Sequence, residues 1–549
     1  MNGEAVEPAA SRALERPSEG VSAHARALES LLPVVGAAVL VAGLGLSHGG
    51  YFATAWGPLT LAFLAVAGIA LVVPPRADLG LRELALPVLL GAFALWALVS
   101  TAWGTPTEAV PEAQRALAYA AGALAFALVL RQQRVVGFLI GLWAGICIVG
   151  VDALVGRLFP ERFGEYDPIS VYRLSEPVGY WNALGVLAAF GVLLALSLAA
   201  RSESLVVRLT AAASTVPLAL TLYFTFSRGA WLALLAGLVV ALALDPRRLQ
   251  LTVIFLVVAP WSTLAVWLAS RSGPLTETGH TLSTAAADGR ALAATAAGLA
   301  LFAAGSVALA AGLAPRISVS ARVSTAGNVA LAAGLAAALV LTLAALGGPS
   351  RIARSFAAPP VESGENLNDR LFDLSGNGRV DGWRVALEGA REHPVLGSGG
   401  GSYKRYWLAE RPYAASIRDA HSLYLESLAE YGPFGLALVV AILGVPLGVA
   451  VRVRRRPFVP AAAGVLAIYA VHAGVDWDWE FPVLTLVALG AASAVMASGD
   501  ARGHARRFGR RRAVLLGALI ALVPIAAIGA LGARAEAASA DAAGERDYA

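Results

Sequence analysis

Long apolar runs separated by short polar connectors dominate the chain. Runs long enough to cross a bilayer as helices, about 17–25 residues each, begin near Leu31, Phe52, Leu84, Ala113, Val135, Trp181, Val206, Gly229, Gln250, Ala291, Gly327, Phe434, Phe458, Phe481 and Ala513. They predict an all-α polytopic membrane protein of about 12–15 transmembrane helices, the first and last peripheral to the core bundle. No internal repeat is visible.

The connectors sort by charge. Alternate ones carry PPRADLGLRE, RQQR, RSESLVVR, DPRRLQ, PRISVSAR, RVRRR and RGHARRFGRRR, while those between include TAWGTPTEAVPE and DWDWE. Positive loops stay in the cytoplasm, so the N-terminus is expected there. The predicted organisation is a cytoplasmic disordered tail (1–29), an N-terminal transmembrane bundle (30–348), an extracytoplasmic loop with short helices (349–433), C-terminal transmembrane helices (434–533) and a polar tail (534–549). Loops as long as the third of these are usually functional.

Composition supports this picture. The chain has 549 residues, 58% hydrophobic and only 14% charged, against about 25% charged in soluble domains. No soluble core could hide so much apolar surface, so membrane lipids are its solvent. The single cysteine, Cys147, lies in an apolar run, which excludes an internal disulfide and a thiolate zinc site. The first residues lack an early apolar segment, so no cleavable signal peptide is expected. Nor is a nucleic-acid partner.

Arginines appear on the outer face in three places where the charge rule does not want them: VYRLSEPVGYWNALG (171–185), FSRGAWLAL (226–234) and the long loop. Arg173, Arg228 and Arg379 are thereby predicted at one face, together with His421 of RDAHSLYLESLAEYGPFG. Guanidinium groups bind phosphate oxygens bidentately and stay charged. A lone arginine could equally snorkel to the headgroups; Arg228, wedged between two helices, fits that reading less well.

Two look-alikes fail. DLSGNGRVDGWR offers a calcium-loop spacing from Asp373 to Asp381, but its last position is Arg384, a cation where a bidentate Glu belongs. GSGGGSYK lacks the ending of a phosphate loop; it reads as a flexible turn, with a glycine-rich turn whose amides face an anion as the alternative. No metal or other cofactor is expected.

The segment GRVDGWRVALEGAREHPVLGSGGGSY, followed by DAHSLYLESLAEYGPFGLAL, resembles the signature region of the O-antigen ligase and polymerase superfamily. The matching positions are Arg379, Trp383, Pro394, Gly397, Gly399, His421, Glu430 and Gly432; RLSEPVGYWNALG and SRGAWLAL are similar to two upstream segments. The resemblance spans 84–500. Ser422 departs from it where many relatives carry Asn, and the helix count exceeds that usual for ligases. The resemblance implies a membrane glycosyltransferase. It would move a glycan from an undecaprenyl-pyrophosphate-type carrier to a hydroxyl of a glycan, lipid or protein acceptor at the outer face of a bacterial cytoplasmic membrane.

Elementary chemistry agrees. Attack at an anomeric carbon needs a base, and His421 titrates near neutrality. The departing pyrophosphate gains charge that Arg173, Arg228 and Arg379 can stabilise without a metal, and direct displacement inverts the anomeric centre. Glu426 and Glu430 follow His421 and either could orient its imidazole, although Glu430 beside Gly432 reads more readily as a helix stop. Asp476 and Asp478 of DWDWE are further candidates, with Trp477 and Trp479 read as interfacial anchors. His48, His280, His393 and His472 read as ordinary loop or interface residues. The alternatives are a polysaccharide polymerase of the same superfamily, or a transporter or flippase of lipid-linked sugars. A transporter would place its polar groups near the midplane rather than at one face.

Overall fold

The computed structural model describes residues 19–72, 80–164, 172–314, 321–358, 364–499 and 508–543. The protein is all-α and polytopic. Each of the fifteen apolar runs is helical, because in lipid a helix is the local way to satisfy every backbone N–H and C=O. Among the described residues ten helices are long and apolar enough to cross a membrane. Four more apolar helices are shorter: Leu31–Gly45, Arg228–Leu244, Val459–His472 and Pro482–Ala497. The run begun near Ala113 lies in Pro106–Val129. The first helix already begins at Glu19, inside the stretch expected to be a disordered tail; residues 1–18 and 544–549 of the two predicted tails lie outside the described residues.

The helices differ greatly in how much lipid they meet. Trp181–Arg201 is the axis of the bundle, its membrane window buried throughout, whereas that of Thr325–Ala345 is buried nowhere. Around the axis pack Leu205–Phe224, Arg228–Leu244, Val459–His472 and Val135–Leu158. Small residues allow a close crossing. A Cβ on Gly237 would lie 2.7 Å from the carbonyl oxygen of Gly464, and one on Gly464 would lie 2.8 Å from that of Gly237. These two backbones touch because neither carries a side chain at the crossing.

The two ends of the bundle are chemically different. At one end Arg201 pairs with Asp245, and Arg208 and Gln250 donate to the carbonyls of Ala199 and Ala200 at 3.0 and 2.6 Å. These are the connectors read as cytoplasmic. At the other end the long loop folds into a polar cap with its own small core of Val385, Ala386, Tyr403, Trp407, Ala420 and Ala429. Its principal helices are Arg379–Glu392 and Tyr403–Glu410.

The cap continues directly into the membrane. The helix expected from Phe434 starts at Leu423, capped by Ser422, and bends at Gly432 (φ 67°, ψ −172°) before Pro433. Only glycine fits that bend: its φ is left-handed, and a Cβ would lie 2.4 Å from the Val395 carbonyl oxygen.

Candidate active site

At the cap end lies an open pocket enclosing about 1270 Å³ of empty space, part of it continuous with solvent. Arg173, Arg228, Arg379 and His421, drawn from separate stretches of sequence, all line it. Arg370, which no pattern in the sequence singles out, is a fourth arginine in the wall. Leu232, Ile352 and Phe356 supply an apolar side.

His421 stands in the turn just before the Leu423 helix with φ 49°, a left-handed conformation that costs a residue with a Cβ about 1 kcal/mol or more. Three contacts hold it there. Its N–H donates to Asp419 Oδ1 at 3.2 Å, its carbonyl accepts from Trp383 Nε1 at 3.4 Å, and the neighbouring Ala420 N–H donates to Glu426 Oε2 at 2.8 Å. Its Nδ1 lies 3.1 Å from Asp419 Oδ1, which leaves Nε2 as the ring's other polar atom, and the side chain is 28% exposed. The carboxylate beside the imidazole is therefore Asp419, two residues upstream, rather than Glu426 or Glu430. Burial works against protonating His421, but Asp419 and then Asp476 outweigh it and Arg379, and the imidazole titrates above its ordinary range.

Glu430 plays another part. Its two carboxylate oxygens accept from the amides of Gly401 and Tyr403, each at 2.9 Å. The glycine turn is thus not a free loop: its amides are taken up by the Glu430 carboxyl group, and Gly399 packs on Gly104 so closely that a Cβ would lie 2.6 Å from the latter's Cα.

The arginines are held by very different partners. Arg379 opens its helix after Gly378 and donates from Nε to the Val475 carbonyl at 2.6 Å and from Nη2 to Asp476 Oδ2 at 2.8 Å. Asp476 has no exposed surface and also accepts from Tyr180 Oη, Asn182 Nδ2 and the Trp477 amide at 2.9, 2.7 and 3.0 Å. Burial alone would raise its pKa, but Arg379, His472 and His421 hold it below the usual carboxylate range. It is an anchor for Arg379 with its acceptor positions filled.

Arg228 donates to the carbonyls of Asp373 and Ser375, the latter at 3.1 Å, and lies 3.6 Å from the Asp373 carboxylate. The calcium look-alike is therefore a clasp for an arginine. Arg173 sits 4.4 Å over the Trp181 ring, donating to the Thr225 carbonyl at 2.9 Å and to Asn182 Oδ1 at 3.3 Å. It makes no ion pair among the described residues. Burial and then nearby Arg370 push its pKa well down; since a guanidinium stays charged, the wall holds a cation whose field an anion would relieve.

DWDWE lies inside the fold. Trp479 is buried, its carbonyl accepting from Tyr119, and Trp477 packs against Tyr51, Tyr180 and Phe481, with the His421 ring 6.2 Å away. Both tryptophans are packing residues here, not headgroup anchors. His472, ordinary by its sequence context, lines the pocket and is buried against Asp478; its Nδ1 lies 2.8 and 2.9 Å from the two Asp478 oxygens. An isolated His at the end of an apolar run carries no signal that a partner stands six residues later.

The fold and pocket define a class: a multi-pass membrane protein with a cationic, histidine-bearing pocket at one end of its bundle. The family described as O-Antigen ligase matches residues 281–440, which include the cap, Arg379 and His421. This match covers less than a third of the chain; it supports the O-antigen ligase and polymerase superfamily, with a domain of the kind found in ligase- or polymerase-type membrane glycosyltransferases. No curated protein matches the chain.

Proposed function

We propose that this protein transfers a glycan from an undecaprenyl-pyrophosphate-type carrier to an acceptor hydroxyl at the outer face of the cytoplasmic membrane. The observation that carries the reading is the convergence of Arg173, Arg228, Arg379 and a half-buried His421 on one pocket. In this reading His421 Nε2 takes the acceptor's proton as its oxygen attacks the anomeric carbon. The bond from that carbon to the phosphate oxygen breaks, and the pyrophosphate departs with the electron pair, with inversion. The arginines carry the charge that builds there, each charge-assisted hydrogen bond contributing about 1.5–3 kcal/mol, with no metal required. The pocket's place at the end of the bundle favours surface chemistry over passage through the membrane. Deleting the gene and sizing the surface glycans tests the function. Accumulation of full-length lipid-linked polymer identifies a ligase, and loss of long chains with single repeats retained identifies a polymerase. Unchanged glycans overturn both.

The base must be neutral to act, so activity rises with pH, with its limb above the ordinary histidine range of about 6.5. Asp419 favours the protonated ring, so Asp419→Asn moves that limb to lower pH. The sign in stability is opposite: protonated His421 adds stability below the ordinary range, and that contribution is lost as pH rises through the raised folded value. A pH profile of kcat/KM for both proteins checks the shift, and an unmoved limb removes His421 as the titrating base.

Sidedness is checked by labelling. In a Cys147→Ser background, cysteine at exposed Glu392 in the cap reacts with an impermeant thiol reagent in cells with a permeabilised outer barrier, and cysteine at exposed Glu203 does not. The reverse pattern inverts the topology.

A further inference from the structure

The polar atoms around the start of the Arg228–Leu244 helix are arranged as if something is to be received there. Ser227 caps the helix by accepting from the Ala230 amide at 3.3 Å. The amides of Arg228 and Gly229, the first two of the helix, donate to no group among the described residues. Such amides, with the helix dipole behind them, form an anion-receptive end. Against this end lies His472, only 1% exposed. Its Nδ1 is committed to Asp478, and its Nε2 makes no hydrogen bond among the described residues. A Cβ placed on Gly229 would sit 2.9 Å from that Nε2, so the missing side chain is what keeps the nitrogen in reach of the pocket that Gly229 and His472 both line. A buried imidazole with a carboxylate on one nitrogen and nothing on the other is half of a hydrogen-bonded relay.

We propose that this corner is a phosphoryl-binding subsite of the carrier's pyrophosphate, formed by the Arg228 and Gly229 amides and His472 Nε2, with the Arg228 guanidinium beside it. The inference rests on the transfer reading above and adds a second histidine to it in a separate role. His421 meets the acceptor, and His472 holds the donor headgroup. The charged groups facing His472 are Asp478 on the following loop, Asp476 beyond it, and Arg379 from the cap. Burial works against a charge on the ring, the two carboxylates favour it and the arginine opposes it. An incoming phosphoryl group shifts that balance toward the cation.

The test is binding of geranylgeranyl pyrophosphate to the full-length protein in phosphatidylcholine nanodiscs, with geranylgeraniol as the uncharged control. His472→Gln and Gly229→Ala each weaken pyrophosphate binding about tenfold and leave geranylgeraniol binding unchanged, and the double variant is no weaker than either alone, since both remove one contact. Affinity of the parent protein falls as pH rises through the histidine range, and His472→Gln flattens that dependence while His421→Gly does not. Gly229→Ala keeps both the imidazole and Asp478 in the protein and decides the matter if His472→Gln does not fold. Parent-like affinity and pH dependence in a folded His472→Gln protein, or parent-like affinity in Gly229→Ala, overturns the subsite. Inorganic pyrophosphate distinguishes the sources: tighter binding of the prenylated probe assigns the corner to the carrier headgroup, and a preference for the inorganic ion overturns that assignment. If Arg173→Ala and Arg379→Ala weaken pyrophosphate binding while the His472 and Gly229 variants do not, only this inference fails; if none does, the transfer reading fails with it.

Discussion

His421→Ala lowers turnover by about 10²–10⁴-fold, the range general-base catalysis typically contributes, while binding of the lipid-linked donor stays close to normal. The separation follows from the site: the imidazole is proposed to act on the acceptor, and the donor's charge is carried by arginines on other elements. A helix-flanking histidine would behave differently, with less folded protein but ordinary turnover per folded molecule. The left-handed backbone at this position (φ 49°) offers a sharper control. Glycine adopts that conformation without penalty, so His421→Gly removes the imidazole and relieves the strain together. A His421→Gly protein that melts no earlier than the parent yet shows the same collapse in turnover isolates the chemistry from the fold. Near-normal turnover per donor-binding molecule in either variant returns His421 to a residue that merely shapes the approach to the Leu423 helix.

Arg379→Ala has the second large effect, on two quantities at once. Its partner Asp476 has no exposed surface, and removing one member of a buried pair leaves an uncompensated charge that costs about 3–5 kcal/mol. Donor binding and turnover fall as well. Arg379→Ala combined with Asp476→Asn removes the stranded charge and recovers much of the thermal stability without recovering transfer. Thermal unfolding measured beside donor binding reads the two losses separately. Full transfer in the double variant would make the pair a structural strut with no part in holding the donor.

The three arginines were legible because they break a rule, and His421 because it stands in the long loop within the signature-like segment. Cations on a face that otherwise avoids them stand out without knowledge of the fold, and the long loop announced itself by length. What stayed hidden was which acid serves which base. Helical spacing points forward from His421 to Glu426 and Glu430, but the residue before the helix lies in a tight turn, where the side chain two positions back, Asp419, closes on the ring. Glu430 faces the glycine turn because the cap folds back on the helix, a contact between segments about thirty residues apart that no local pattern encodes. His472 was invisible for a related reason: at the end of an apolar helix it reads as interface, and only the burial of DWDWE brings Asp478 under it. The two tryptophans there look like headgroup anchors in sequence because the same amphipathic rings serve both purposes.

The crossing at Gly237 and Gly464 has a consequence at the pocket. One of the crossing helices begins at Arg228 and the other ends at His472, each about 12–14 Å along its helix from the crossing at 1.5 Å per residue. The contact is a fulcrum, and the two pocket residues sit at the tips of its arms. A single methyl inserted at the pivot would spread those tips, although it lies deep among apolar neighbours and touches no charged group. The spacing of two polar groups at the pocket is thus fixed by the absence of atoms at the pivot.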